Sequence, residues 1–382
     1  MKFLLTLARI LSAISSKKSA QFLAGLAIPG AFGVAVFFLF PHGQNSNGPQ
    51  AERRPAVDRP VRLEEPGVCQ DFFRAVCQKR GVTHDPTGAV KPDFEGELKA
   101  LRLYQEIIRA NPDWSSEQVD SELVKKIYTS TRVNRLRHYF KWARDETERL
   151  LWLQPDDVLS PKDKKLLLKR LQALELELPP PASKYADEPD LFTQNDVYYE
   201  RRPDGRTRLR VGGAYLFSVK SRFNMIFTLA HELAHAIDPC ELKATASVPL
   251  AYLGLTSCFL RGGYIARRAS RLECGDNDQV SETFADWMAV QVTSQALKKF
   301  SDEFAGPELV AAATNAVRDL CDQEESDFEL DQGNHPSPQV RIERIYGNNA
   351  LIRETLGCGP PNPAWEYCGF TSPKTSNAHP TF

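Results

Sequence analysis

FNMIFTLAHELAHAID, residues 223–238, places apolar side chains at 223, 226, 227, 230, 233 and 237. That spacing has the period of an α-helix with one buried face, and Pro239 terminates it. Inside the stretch stands His231-Glu232-Leu233-Ala234-His235. Two histidines four apart lie about 40° apart around a helix and one turn along it, so both imidazoles reach one ion from the same face. Glu232 then projects beside that ion. There it can take a proton from a water whose pKa a zinc ion lowers to about 7.

A zinc ion in a hydrolase usually has three protein ligands and one open position, so a third ligand is owed. No third histidine follows closely, because Asp238-Pro239-Cys240-Glu241 stands there. The best remaining donor is Glu282, in Ser281-Glu282-Thr283-Phe284-Ala285-Asp286. An acidic pair four apart on a helix is ordinarily a solvated face; the upstream motif reverses that reading. Asp286 shares the face of Glu282 and can accept the outer N–H of a ligating histidine, fixing its tautomer. Asp238, one turn after His235, is a second orienting candidate, although aspartate before proline is also a common helix stop. Further on, His335-Pro336-Ser337-Pro338-Gln339-Val340-Arg341 offers an oxyanion donor in His335. The forked guanidinium of Arg341 suits a substrate carbonyl or carboxylate.

Outward from the helix motif, Val197-Tyr198-Tyr199 and Leu209-Arg210-Val211 flank Pro203-Asp204-Gly205, which predicts a hairpin or edge strand just before the catalytic helix. Residues from about 92 to 178 are rich in Leu, Lys, Glu and Arg at helical spacing, and Pro179-Pro180-Pro181 closes them. Helical patterns return around 280–299 and 306–321. The expected organisation is a mainly helical subdomain over 68–190, a catalytic domain over 191–370 and a polar tail over 371–382.

The N-terminal part reads differently. Residues 1–20 carry Lys2, Arg9, Lys17 and Lys18 and no acid, and 21–40 form an uncharged, mostly apolar run ending in Phe37-Phe38-Leu39-Phe40-Pro41. About 20 such residues span a bilayer, which is longer than the apolar core of a cleaved signal, so a retained transmembrane anchor is expected. The basic flank places the N-terminus in the cytoplasm and the body outside. Residues 41–67, mixing Gly, Asn, Pro and charge, suit a flexible stalk. All eight cysteines follow the run, as disulfides in an extracytoplasmic chain would. With 48 basic and 49 acidic residues, the net charge of −1 gives no global attraction to nucleic acid.

Together these pieces resemble the neprilysin family of zinc metalloendopeptidases, which are type II membrane proteins. The resemblance includes Cys69-Gln70-Asp71-Phe72-Phe73-Arg74-Ala75-Val76-Cys77, which matches the family's first extracellular signature. It implies that His231, His235 and Glu282 hold one zinc ion, that Glu232 is the base and Asp286 the orienting aspartate, and that His335 and Arg341 close the site. It also implies disulfides Cys69–Cys358, Cys77–Cys321 and Cys258–Cys368, leaving Cys240 and Cys274 for an additional bridge. The family's substrate-binding strand corresponds to Asn195-Asp196-Val197-Tyr198-Tyr199, where the chain either inserts one residue or carries Asp196 in place of the family's asparagine. The tryptophan that follows the family's last cysteine is absent, since the chain reads Cys368-Gly369-Phe370. Several hundred residues that form much of the family's helical lid are also missing.

The fold expected from all this is mostly α (α+β): a zincin-type catalytic domain with a small edge sheet, a reduced helical subdomain and one N-terminal transmembrane helix. The expected activity is hydrolysis of a peptide or unfolded polypeptide in an open cleft, by family analogy before hydrophobic residues. Two other readings fit the same motifs. One is a zinc-containing binding or scaffold ectodomain without turnover. The other is a membrane quality-control metallopeptidase of the multi-span type, which the single span and the cysteine-rich exterior disfavour.

Overall fold

The computed structural model describes residues 67–77, 95–179, 191–218, 220–246, 248–265, 279–322, 335–365 and 367–370. The segment 1–20, the apolar run 21–40, the stalk up to residue 66, Cys274 and the tail 371–382 lie outside the described residues. Among the described residues, no helix is long and apolar enough to cross a membrane.

The chain is mostly helical. Helix α1 covers Phe72–Cys77, α2 Glu95–Ala110, α3 Ser116–Ile127, α4 Ser130–Trp152 and α5 Pro161–Ala173. Local chemistry sets several of these starts. Ser115 and Gln118 form a reciprocal capping box at α3, and Ser160 accepts the Asp163 amide with Pro161 in the first turn of α5. The helical reading of the sequence runs to 178, but α5 ends at Ala173 and β1 occupies Glu175–Glu177. The physical reason is visible in Leu174-Glu175-Leu176-Glu177-Leu178, whose strict alternation suits a pleated strand and buries Leu174 and Leu178.

The hairpin forms as expected from β2 (Val197–Arg201) and β3 (Thr207–Val211), paired antiparallel from Val197 with Val211 to Arg201 with Thr207. Gly205 turns the chain at φ +80°, a conformation that disfavours side chains, and its amide bonds to the Arg202 carbonyl at 2.9 Å. Strand β1 joins β3 in parallel, so the order is β1-β3-β2 and β2 is an edge. Buried Arg208 clamps the sheet between Glu177 at 2.6 Å and Glu200 at 2.7 Å. After β3 come α6 (Gly213–Phe217), α7 (Arg222–His235), α8 (Pro239–Thr245) and α9 (Leu250–Arg261). Helix α7 stops at His235, and Pro239 opens α8 rather than only ending what precedes it.

Helix α10 (Gln279–Phe300) is buried nearly all round, as an apolar helix without a polar stripe must be. It packs on α7, where fully buried Ala230 and Ala234 face a helix carrying Ala285 and Ala289, and α4 covers α7 from another side. Helix α11 (Gly306–Ala316) also packs on α7; a short turn at Arg318–Asp322 follows it. The segment after Pro338 winds into a π-helix over Val340–Tyr346 before α12 (Ala350–Thr355).

Disulfides Cys69–Cys358, Cys77–Cys321 and Cys258–Cys368 are present. Cys240 has no free thiol, while its expected partner, Cys274, lies outside the described residues. Where the resemblance led to a tryptophan, Phe370 packs on Trp287 at 5.1 Å and on Tyr252 at 5.3 Å. The Trp287 indole N–H donates to the Cys368 carbonyl at 2.9 Å.

Candidate metal centre

Helix α7 begins where Ser221 caps the Asn224 amide, and this start fixes the rotation that turns His231 and His235 to one side. Their Nε2 atoms stand 3.3 Å apart. Helix α10 brings Glu282 to them, with Oε2 3.1 Å from Nε2 of His231 and Oε1 3.7 Å from Nε2 of His235. Ligands at about 2.0–2.1 Å in tetrahedral array are spaced about 3.3–3.4 Å from each other, so these three donors sit as ligands of one ion would. Glu282 Oε2 is also buried and makes no hydrogen bond of acceptable geometry, although two imidazoles lie close to it. The donor groups His231-Glu232-His235 and His231-Glu282-His335 can each hold a metal ion.

The outer nitrogens are fixed by carboxylates. His231 Nδ1 lies 3.0 Å from Asp286 Oδ1. Asp286 is itself gripped by Arg341, which donates from Nε at 2.6 Å and from Nη2 at 2.7 Å. Burial opposes the charge of Asp286, but Arg341 and His231 prevail and bring its carboxyl down to about 2. Asp286 is therefore an anion, which makes His231 carry its proton on Nδ1 and aim the Nε2 lone pair at the ion site. Burial likewise opposes protonation of the whole His231 ring, yet its bond to Asp286 and the nearby carboxylate of Glu282 raise its pKa to about 10 without an ion.

Asp238 serves both roles that the sequence left open. Oδ1 caps α8 by accepting the amides of Cys240 and Glu241 at 2.7 Å each, while Oδ2 lies 3.2 Å from Nδ1 of His235. Ser281 joins this pair, donating to Asp238 Oδ2 at 2.5 Å and lying 3.2 Å from the same imidazole nitrogen.

Glu232 is placed by the sheet. Its Oε2 accepts the backbone N–H of Tyr199, on the edge strand β2, at 2.7 Å. Burial raises its pKa to about 7, against the pull of His231 and His235, so it exchanges a proton near neutrality. His335 is partly exposed at the site's edge, with Nε2 2.9 Å from Glu282 Oε2 and its ring stacked 6.4 Å from that of His231. Arg341 is buried and committed to Asp286 rather than standing free for a substrate, though it also lines a cavity beside the site.

The strand residues divide. Asn195 accepts from Ser218 Oγ at 2.9 Å, and its amide reaches Glu97 at 3.5 Å, so its side chain is occupied within the protein. Asp196 accepts the Val197 amide at 2.8 Å and is exposed, whereas the Val197 side chain is buried. A cleft of about 580 Å³ runs between β2 and the histidines, and a cavity of about 350 Å³ adjoins it at Asp196, His231 and Glu232.

Comparison of the chain with protein families, curated proteins and solved structures returns no match. Two contacts had no distinct sequence signal. The Tyr199 amide is backbone and leaves no trace in residue identity, and Ser281 is legible only as the neighbour of Glu282.

Proposed function

We propose that the protein is a membrane-anchored zinc metalloendopeptidase of zincin type. One observation carries this reading: two imidazoles of α7 and a half-buried carboxylate of α10 stand 3.1–3.7 Å apart with a second half-buried carboxylate, Glu232, alongside. A nitrogen-nitrogen-oxygen set with one further position free suits zinc, and in hydrolases that set is the catalytic one.

Zinc bound by His231, His235 and Glu282 would supply Lewis acidity toward a water and a substrate carbonyl. The residues of the chain do the rest. Glu232, held by the Tyr199 N–H, takes the proton of the attacking water and returns it to the leaving amine, a task suited to a group titrating near pH 7. Asp286 and Asp238 keep both imidazoles in the tautomer that offers Nε2 inward. His335, partly exposed at the rim, supplies a donor to the oxygen that gains charge, and Arg341 fixes Asp286. An extended polypeptide lies along the outer edge of β2, pairing through backbone groups.

Three disulfides among the described residues and the apolar run at 21–40 support an extracytoplasmic body on a single N-terminal anchor. Metal analysis of the purified full chain, with cleavage of a peptide library before and after chelation, tests the proposal. The expected result is about one zinc per chain and chelator-sensitive cleavage. Stoichiometric zinc without hydrolysis of any peptide would instead favour the binding or scaffold reading.

A further inference from the structure

The cavity of about 350 Å³ beside Glu232 has an apolar wall of Phe227, Val317 and Leu320 and carboxylates from Glu97, Asp196 and Asp319. Its lysine and arginine are already committed. Arg341 is held by Asp286 at 2.6 and 2.7 Å, and Lys220 by Asp319 at 2.5 Å. Asp196 is exposed at the junction of cavity and cleft, and the bond it accepts comes from the Val197 amide, not from a side-chain cation.

A second acceptor lies in the cavity wall. The Asn224 side chain lines the cavity and donates from Nδ2 to the Ala316 carbonyl at 3.1 Å and to Asp319 at 3.2 Å. Those two acceptors fix the amide orientation, so the buried Asn224 Oδ1 is an acceptor for which no donor is present among the described residues.

Resting on the peptidase reading, we propose that this cavity takes the lysine or arginine side chain of a substrate residue next to the scissile bond. The aliphatic stem of such a residue packs on Phe227, Val317 and Leu320 while its cationic head meets Asp196, so it uses both surfaces. The resemblance implies cleavage before hydrophobic residues. Here an aliphatic side chain would fill the wall but leave the carboxylates desolvated, and an acidic one would be repelled.

The test uses the full chain in detergent, loaded with zinc, and peptides randomised on both sides of one cleavable bond, with products mapped by mass spectrometry. At one flanking position, lysine or arginine is expected to exceed norleucine and glutamate about tenfold in kcat/KM, the effect of one well-placed charge contact. Raising salt from about 0.05 to about 0.5 M is expected to shrink that margin. Asp196→Asn is expected to reduce the margin to about twofold, with Glu97→Gln as the second variant should the first fail to fold. A readout without turnover is NMR titration of the zinc-free chain with an Nα-acetyl-lysine amide and its norleucine analogue, where only the lysine compound is expected to shift cavity resonances. Cleavage with equal or greater preference for norleucine or glutamate overturns the assignment and leaves the peptidase reading standing. Absence of cleavage for every peptide removes both.

Discussion

Asp286 shows how much of this site is work done by groups that never touch the ion. It is buried, ionised, held by Arg341 and bonded to His231. Asp286→Asn is expected to lower zinc affinity about 10–100-fold while Glu232→Gln leaves it nearly intact, as measured by competition with a fluorescent chelator. Glu232→Gln should instead reduce kcat by about 10²–10⁴-fold, because the proton acceptor is lost and the ligands are not. Proton linkage gives a further sign. Without an ion, His231 binds its proton up to about pH 10, so zinc must displace that proton. Zinc affinity is then expected to rise with pH between 6 and 9, and calorimetry in buffers of different ionisation enthalpy should record net proton release. The residue identities were legible because two histidines and a glutamate at fixed spacing have few other uses. The committed role of Arg341 was not, since an arginine beside a motif does not declare whether it faces substrate or a buried aspartate.

At the level of elements, helix α7 was readable from its apolar period and the hairpin from its Pro-Asp-Gly turn. Strand β1 was hidden because Leu and Glu favour helices and only their alternation over five residues argues otherwise. The sheet matters to chemistry through one amide, since β2 hands its Tyr199 N–H to Glu232. Arg208 keeps that edge in place by bridging Glu177 and Glu200. Arg208→Leu strands two carboxylates and is expected to cost about 2–4 kcal/mol in urea unfolding, and to depress kcat more than zinc content.

Across the whole molecule, the disulfides tie distant chain segments to the helices that carry the candidate site. Cys258–Cys368 closes a separation of 110 residues and holds the carbonyl that accepts from Trp287 on α10. Replacing both cysteines with serine is expected to cost about 2–5 kcal/mol by calorimetry. The pairing could not be read from spacing, because eight cysteines allow about 105 complete pairings; it came from the resemblance and is met at the three described bridges. The packing of α4 directly on α7 had no signature in the sequence, since amphipathic helices do not name their partners.

The central claim is that His231, His235 and Glu282 bind one ion together. Anomalous diffraction from crystals of the zinc-loaded chain, recorded on both sides of the zinc edge, tests it most directly. The account predicts a single strong peak at about 2.0–2.2 Å from Nε2 of both histidines and from a carboxylate oxygen of Glu282. A peak elsewhere, or one at the histidines with Glu282 turned away, would contradict it.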